Sequence, residues 1–425
     1  MSQQKCMGGG MTAEIAVLNK YGIALAADSA VSIGEKKVYK SANKLFALTK
    51  KYPVGVMVYG NSQFMGIPWE TLIKFYRKNL LKDRQLPTVA AYRDDFLNFL
   101  SSSEIFGEEG EADFVRGLAA SVLIGLLNNL RSRAKQEITE HGKISSAENV
   151  RLVDSVIEEW FAEQEKEPAK FPRGMKAAFK KRYASDIQEI AEGLLERLPI
   201  SKGLMRRLHN VMLDAFGRKI NVLSPSGIVI AGFGQTEMFP SIASVRLDGK
   251  VGRHLRILSE SEQAVSYDRS AVIVPFAQRE MVDMFMKGVD PKLHHVMKAE
   301  IKQGFTKIQD FVLEAAGEAL TGANKRLIKK EIARLGGELT MQFESIQRRR
   351  FVEPVLDSVA ALPLDELAAM AESLVNLTTF KRRVTPVPES VGGPVDVAVI
   401  SKGDGFVWIK RKHYFSPDLN PHFFQ

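Results

Sequence analysis

Short strand-like runs stand in three separate blocks of this chain, and no block alone can close a sheet. The first runs from Thr12 to about Tyr59. There Glu14 to Asn19 and Ile23 to Ala27 are apolar runs split by Lys20-Tyr21-Gly22, a predicted hairpin turn. Lys36 to Tyr39, Lys44 to Leu48 and Val54 to Tyr59 continue the rhythm. The second block holds Gly227 to Phe233, Ile242 to Leu247, Gly252 to Leu258 and Ala271 to Pro275, with Asp248-Gly249 as its predicted hairpin turn. The third pairs Pro394 to Ser401 with Phe406 to Lys410 around Gly403-Asp404-Gly405. Between the blocks, apolar residues recur at helical spacing, as over Trp69 to Leu80, Ala112 to Ile138 and Met175 to Leu198.

The economical solution is one α+β domain in which the three blocks share a core and helical segments are inserted between them. The expected boundaries are 12–80, 222–277 and 363–425 for the core and tail, 81–221 for a helical insertion and 278–362 for a helical elaboration. Residues 1–11 read as a leader or as a misassigned start, with translation from Met11.

Composition narrows the function classes. The single cysteine, Cys6, rules out an intramolecular disulfide and a cysteine-based metal cluster. The first residues contain no apolar signal core, and the apolar stretch Gly117 to Leu127 is shorter than the roughly 20 residues that span a bilayer. A cytoplasmic protein with no membrane partner is expected. The net charge of +9 is spread over helical surfaces, in short separated runs such as Arg348-Arg349-Arg350. These lack the aromatic interleaving of a base-stacking platform, so nucleic acid is not the expected partner. The seven histidines show no metal-ligand spacing.

The chemistry points to Thr12. A threonine hydroxyl attacks a carbonyl only when something takes its proton. If Thr12 is the first residue, its own α-amine can do so, with a reference pKa of about 7.7–8.0. A nearby positive charge keeps that amine neutral and favours developing negative charge, and a carboxylate holds the positive group in place. Asp28 ends the run Ala26-Ala27-Asp28, and Lys44 sits in Asn43-Lys44-Leu45. Both fall at strand ends. Taken singly, they read as a strand-start threonine, a turn aspartate and a solvated lysine.

Their register carries more. Asp28 lies sixteen residues after Thr12, and Lys44 thirty-two after it. This region resembles the β-type subunits of the proteasome and the related bacterial peptidase, which show the same residue types at the same spacing. Val54 to Gly60 with Asn61-Ser62 resembles the family's cleft strand, with Gly60 and Asn61 as candidates for oxyanion and substrate contacts. Val391-Gly392-Gly393 resembles its late glycine pair. Pro388 and Val391 stand where the family has a supporting aspartate and serine, and Ser390, Gly392 and Gly393 are the remaining supporting candidates.

The resemblance implies a four-layer αββα sandwich of two antiparallel sheets, the N-terminal-nucleophile hydrolase fold. It implies a threonine peptidase with Thr12, Asp28 and Lys44 as catalytic residues and no metal or organic cofactor. It also implies a peptide or unfolded-protein substrate, a homo-oligomer (a ring in that family) and an ATPase partner. Two other functions fit the same residues: a catalytically inactive scaffold or interaction subunit, and a small-molecule amidase or acylase.

Overall fold

The computed structural model describes residues 12–33, 37–39, 42–166, 169–196, 198–219, 224–317, 321–385, 392–413 and 415–420. The chain begins with β1 (Ala13–Asn19) and β2 (Gly22–Ala27), joined at Lys20-Tyr21. A small ribbon, β3 (Val31–Ile33) and β4 (Lys37–Tyr39), follows. Next come β5 (Leu45–Ala47), β6 (Val54–Gly60) and a second ribbon, β7 (Gln63–Phe64) with β8 (Ile67–Pro68). Six helices come next: α1 (Trp69–Tyr76), α2 (Val89–Ser102), α3 (Gly107–His141), α4 (Ser146–Glu165), α5 (Met175–Leu195) and α6 (Lys202–Asp214). The chain returns to strands with β9 (Ser226–Gly232), β10 (Ser241–Val251), β11 (His254–Ala264) and β12 (Ala271–Ala277). Helices α7 (Glu280–Lys287), α8 (Pro291–Ala315), α9 (Gly322–Gln347), α10 (Glu353–Ala361) and α11 (Leu364–Arg383) precede the closing pair, β13 (Asp396–Ser401) and β14 (Gly405–Lys410).

The three strand blocks interleave into two five-stranded antiparallel sheets. One has the order β12-β1-β2-β13-β14, the other β11-β10-β9-β6-β5. Each sheet therefore draws on chain segments hundreds of residues apart. The α+β class expected from sequence is observed, and two sheets with helices outside them are compatible with a sandwich.

Period-two alternation shows why β1 and β2 read as nearly unbroken apolar runs. Ile15 and Val17 of β1, with Ala24 and Ala26 of β2, pack against Leu367, Ala371 and Leu374 of α11. Ala16, Leu18, Ile23 and Leu25 face the other way, against Met57, Val229 and Ala231 of the second sheet. Both faces are covered, so every residue of the two strands is buried. The outer face of the second sheet carries α1 and α2, with Trp69, Tyr76 and Phe96 on Val56, Ile228 and Val245. Helices α3–α6 form a separate core around Leu118, Leu123, Ile157, Tyr183 and Leu208. By contrast, α8 buries none of its side chains, and α9 buries only Gln347. No helix among the described residues is long and apolar enough to cross a membrane.

The Asp248-Gly249 turn expected from sequence is not where the chain reverses. Both residues lie inside β10, and the reversal falls at Gly252-Arg253, where Gly252 adopts a φ of 57°. Irregular pairing around Leu247 and Gly249 absorbs the extra length. Gly249 is needed for packing, since a Cβ there would stand 2.4 Å from the Phe114 ring. Asp248 is held by Arg256 of the facing strand.

Candidate active site

Four chain segments meet at one end of the first sheet, where β1 and β13 begin and β2 and β12 end. Thr12 and Glu14 point to the same side of β1 as Ala16 and Leu18, into the space between the sheets. The Thr12 hydroxyl donates to Glu14 Oε2 at 2.9 Å, and Thr12 is only 1% exposed. Its carbonyl accepts from the backbone N–H of Gln278 at 3.3 Å, which ties it to the chain just past β12.

Asp28 follows β2 and is held on every side. Its N–H donates to Ala13 O at 3.1 Å, and Oδ1 accepts from the Ala13 N–H at 3.2 Å. Oδ2 accepts from the Gly392 N–H at 2.9 Å. Gly392 has a φ of 149°, a conformation costly for a residue with a Cβ. The late glycine segment therefore reaches this end of the sheet through backbone geometry.

Lys44 enters from the second sheet, anchored where its carbonyl accepts from the Val58 N–H at 2.8 Å. Its Nζ lies 2.5 Å from Asp28 Oδ1 and 3.1 Å from Glu14 Oε1. The second contact has an ion-pair distance but not hydrogen-bond alignment: Oε1 accepts no hydrogen bond among the described residues. Two buried carboxylates thus share one ammonium. Burial pushes the Glu14 carboxyl up to about 7; Lys44 opposes the shift and Asp28 adds to it. Tyr59, whose ring lies 5.5 Å from that of Phe276, is pushed up to about 12, mainly by burial.

Beyond Lys44 the site opens into a cleft of about 220 Å³, walled by Lys44, Tyr59, Gly60, Asn61, Trp69 and Glu70. Gly60 sits there with a φ of 80°. The Asn61 N–H is engaged by Pro225 O at 3.2 Å, and its carbonyl by the Ser226 hydroxyl at 3.0 Å. That hydroxyl also accepts from Trp69 Nε1 at 2.8 Å, which fixes the cleft wall.

The residues singled out from sequence are therefore distributed as follows. Asp28 and Lys44 touch; Thr12 joins them through Glu14; Gly392 bonds to Asp28; Gly60 and Asn61 share the cleft with Lys44. Gly393 follows with a φ of 82° and makes no side-chain contribution. Ser390 lies outside the described residues. Glu14 was missed. Its signal was a lone carboxylate two residues after Thr12, inside the apolar run Ala13-Glu14-Ile15-Ala16-Val17.

Comparison with known proteins finds no matching family model and no matching curated protein. Among solved structures, the chain is similar to Anbu (ancestral beta-subunit) from Yersinia bercovieri, at 9% identity and a TM-score of 0.28, covering 97% of this chain and 93% of that one. It is also similar to Anbu in a helical assembly from Pseudomonas aeruginosa, at 9% identity and a TM-score of 0.29, covering 97% and 92%. A third, Anbu from Hyphomicrobium sp. strain MC1, gives 9% and 0.30, covering 97% and 93%. Likeness at this level carries no argument about fold or activity.

These findings correct the resemblance expected from sequence. Membership among the proteasome β-type and bacterial proteasome-like peptidase subunits is not upheld, because no family model reaches the chain and its likeness to solved structures is this weak. The physical reason is how little chain the resemblance covers: the strand blocks alone, set among long helical segments with no counterpart in it.

Proposed function

We propose that the chain is a threonine-type amide hydrolase in which Thr12 Oγ1 is the nucleophile and, once freed, the N-terminal residue of an N-terminal-nucleophile fold. The observation that carries this reading is the contact between the Thr12 hydroxyl and a buried acid–lysine–acid cluster that opens, through Lys44, onto a cleft. Such a cluster is expensive to bury, and apolar residues of the same volume would stabilise a sheet end at least as well. Perturbed charges kept beside a cleft are characteristic of reactive sites.

In this reading Thr12 Oγ1 attacks an amide carbonyl, the amine leaves, and water hydrolyses the resulting ester. Lys44 stabilises the negative charge that develops, Asp28 orients Lys44, and the Gly60 segment borders the acyl group. The cleft beside Lys44 is the proposed substrate site, and a peptide amide is the proposed substrate.

One observation favours a second reading, that of a catalytically inactive scaffold. Thr12 is buried, and the cleft is walled by Lys44 rather than by Thr12 itself. Labelling with a β-lactone probe separates the two. An active site acylates in the wild-type protein and not in Thr12→Ala. Equal labelling of both, or of neither, sinks the hydrolase reading. An epoxyketone, which closes a ring with both hydroxyl and amine, reports separately whether the Thr12 nitrogen is free.

A further inference from the structure

We infer that Glu14 is a catalytic residue: its carboxylate takes the Thr12 hydroxyl proton during attack and returns it to the leaving amine. The inference rests on the hydrolase reading above and adds to it the identity of the base.

Three groups could accept that proton. A freed Thr12 α-amine could accept it, but among the described residues the hydroxyl is aimed at Glu14 Oε2; in peptide linkage that nitrogen's lone pair is delocalised into the carbonyl. Lys44 carries an ammonium, which has donors and no acceptor, and it lies between the two carboxylates it binds. Glu14 already holds the proton's path. Its Oε2 accepts from Thr12 Oγ1 at 2.9 Å, and among the described residues the hydroxyl makes this hydrogen bond and no other. The second oxygen, Oε1, accepts no hydrogen bond among the described residues and faces Lys44. Oε1 is held by the charge of that ammonium at 3.1 Å, which leaves Oε2 to the Thr12 hydroxyl.

The step balances without any further reactant. As Oγ1 bonds to the carbonyl carbon, its proton passes to Glu14 Oε2 and the carbonyl electrons move onto oxygen. The intermediate collapses, the C–N bond breaks, and Glu14 delivers the proton to the departing nitrogen. Water then attacks the ester, giving one proton to Glu14 and from there to Oγ1. Amide and water become acid and amine, with Glu14 restored.

The surroundings suit this role. The charged and titratable groups facing Glu14 are Asp28 from the end of β2, Lys44 ahead of β5 and Tyr59 from β6. Arg246 of β10 and Arg279 beyond β12 act in turn on Tyr59. Burial and Asp28 raise the carboxyl to about 7, so its basicity is matched to neutral pH. Only the ionised form is a base, so acylation should rise with pH through about 7.

The test is the rate of β-lactone acylation of Thr12 from acid to mildly alkaline pH, in the full chain and in Glu14→Gln, with thermal melts confirming the fold. The rate in folded Glu14→Gln is expected to fall by about 10²-fold or more, and the rise near neutrality to disappear. A purely structural Glu14 would not remove that rise. Wild-type rate in the folded variant, or an unchanged pH profile, overturns the inference and leaves the hydrolase reading intact. Wild-type protein that is not acylated at Thr12 overturns both. If Glu14→Gln does not fold, Glu14→Asp decides: slower acylation with a shifted midpoint supports the role, and an unchanged rate and midpoint overturns it.

Discussion

Among the described residues, two buried carboxylate–cation clusters end on different things. Asp248 and Arg256 pair across β10 and β11 with side chains 1% and 3% exposed. Arg256 Nε donates to Phe216 O at 3.2 Å, and Nη2 to Arg218 O at 2.6 Å. The planar guanidinium therefore fastens the chain just past α6 to the β10–β11 hairpin, a bracing task for which several donors in one plane are suited. The cluster of Glu14, Asp28 and Lys44 is as well buried, but it ends on a side-chain hydroxyl and on a cleft. Donors that terminate on backbone carbonyls hold a fold together. A compact ammonium shared by two carboxylates beside a hydroxyl leaves its groups available to a reaction.

Removing each cation gives the largest effects. Lys44→Met leaves two carboxylates buried together and should cost about 3–5 kcal/mol in urea unfolding. It should also lower β-lactone acylation by about 10²–10³-fold. Arg256→Met should cost a similar amount of stability, yet acylate Thr12 at the wild-type rate while folded. Comparable slowing in both variants would erase the distinction between the clusters.

A smaller effect separates the cations themselves. Arg256→Lys keeps the charge but loses the fork, and should destabilise by about 1–3 kcal/mol through the unpaired carbonyls of Phe216 and Arg218. Its acylation rate should not change. A melting temperature equal to wild type would mean that the fork braces nothing.

The smallest effect is in pH dependence. Burial raises Glu14 from 4.5 to about 7 and Asp248 from 3.8 to about 6. The folded state therefore binds more protons than the unfolded chain between those values. The stability this contributes is complete below the unfolded pKa values and is lost as pH rises through the folded ones. Melting temperature should decline from about pH 4 to about pH 7, and Glu14→Gln should remove the part of the decline nearest neutrality. A wild-type melting temperature that rises over this window contradicts the assignment.

Much of the scaffold was legible because the inner strands of the two sheets are covered on both faces. Strands such as β1 and β2 could hardly be read as anything else, and the turns at Lys20-Tyr21 and Gly403-Asp404 fell where glycine and polar residues predicted. Asp248-Gly249 misled because a local turn signal was overridden by the Phe114 ring and by Arg256, both distant in sequence. Asp28 and Lys44 stood out only through the resemblance, by their register with Thr12. Glu14 did not, because a single charged residue in a strand normally marks a solvent face, and only the second sheet and Lys44 make this one buried. The family resemblance failed for a related reason: a three-residue register says nothing about the hundreds of residues around it.

Mass-spectrometric mapping of the acylated residue tests the central claim most directly. Protein treated with a β-lactone peptide mimic should carry the acyl mass as an ester on Thr12 Oγ1, and the adduct should be absent in Thr12→Ala. An adduct on Lys44 or on any other side chain, or no adduct under conditions where the probe acylates a known threonine hydrolase, would contradict it.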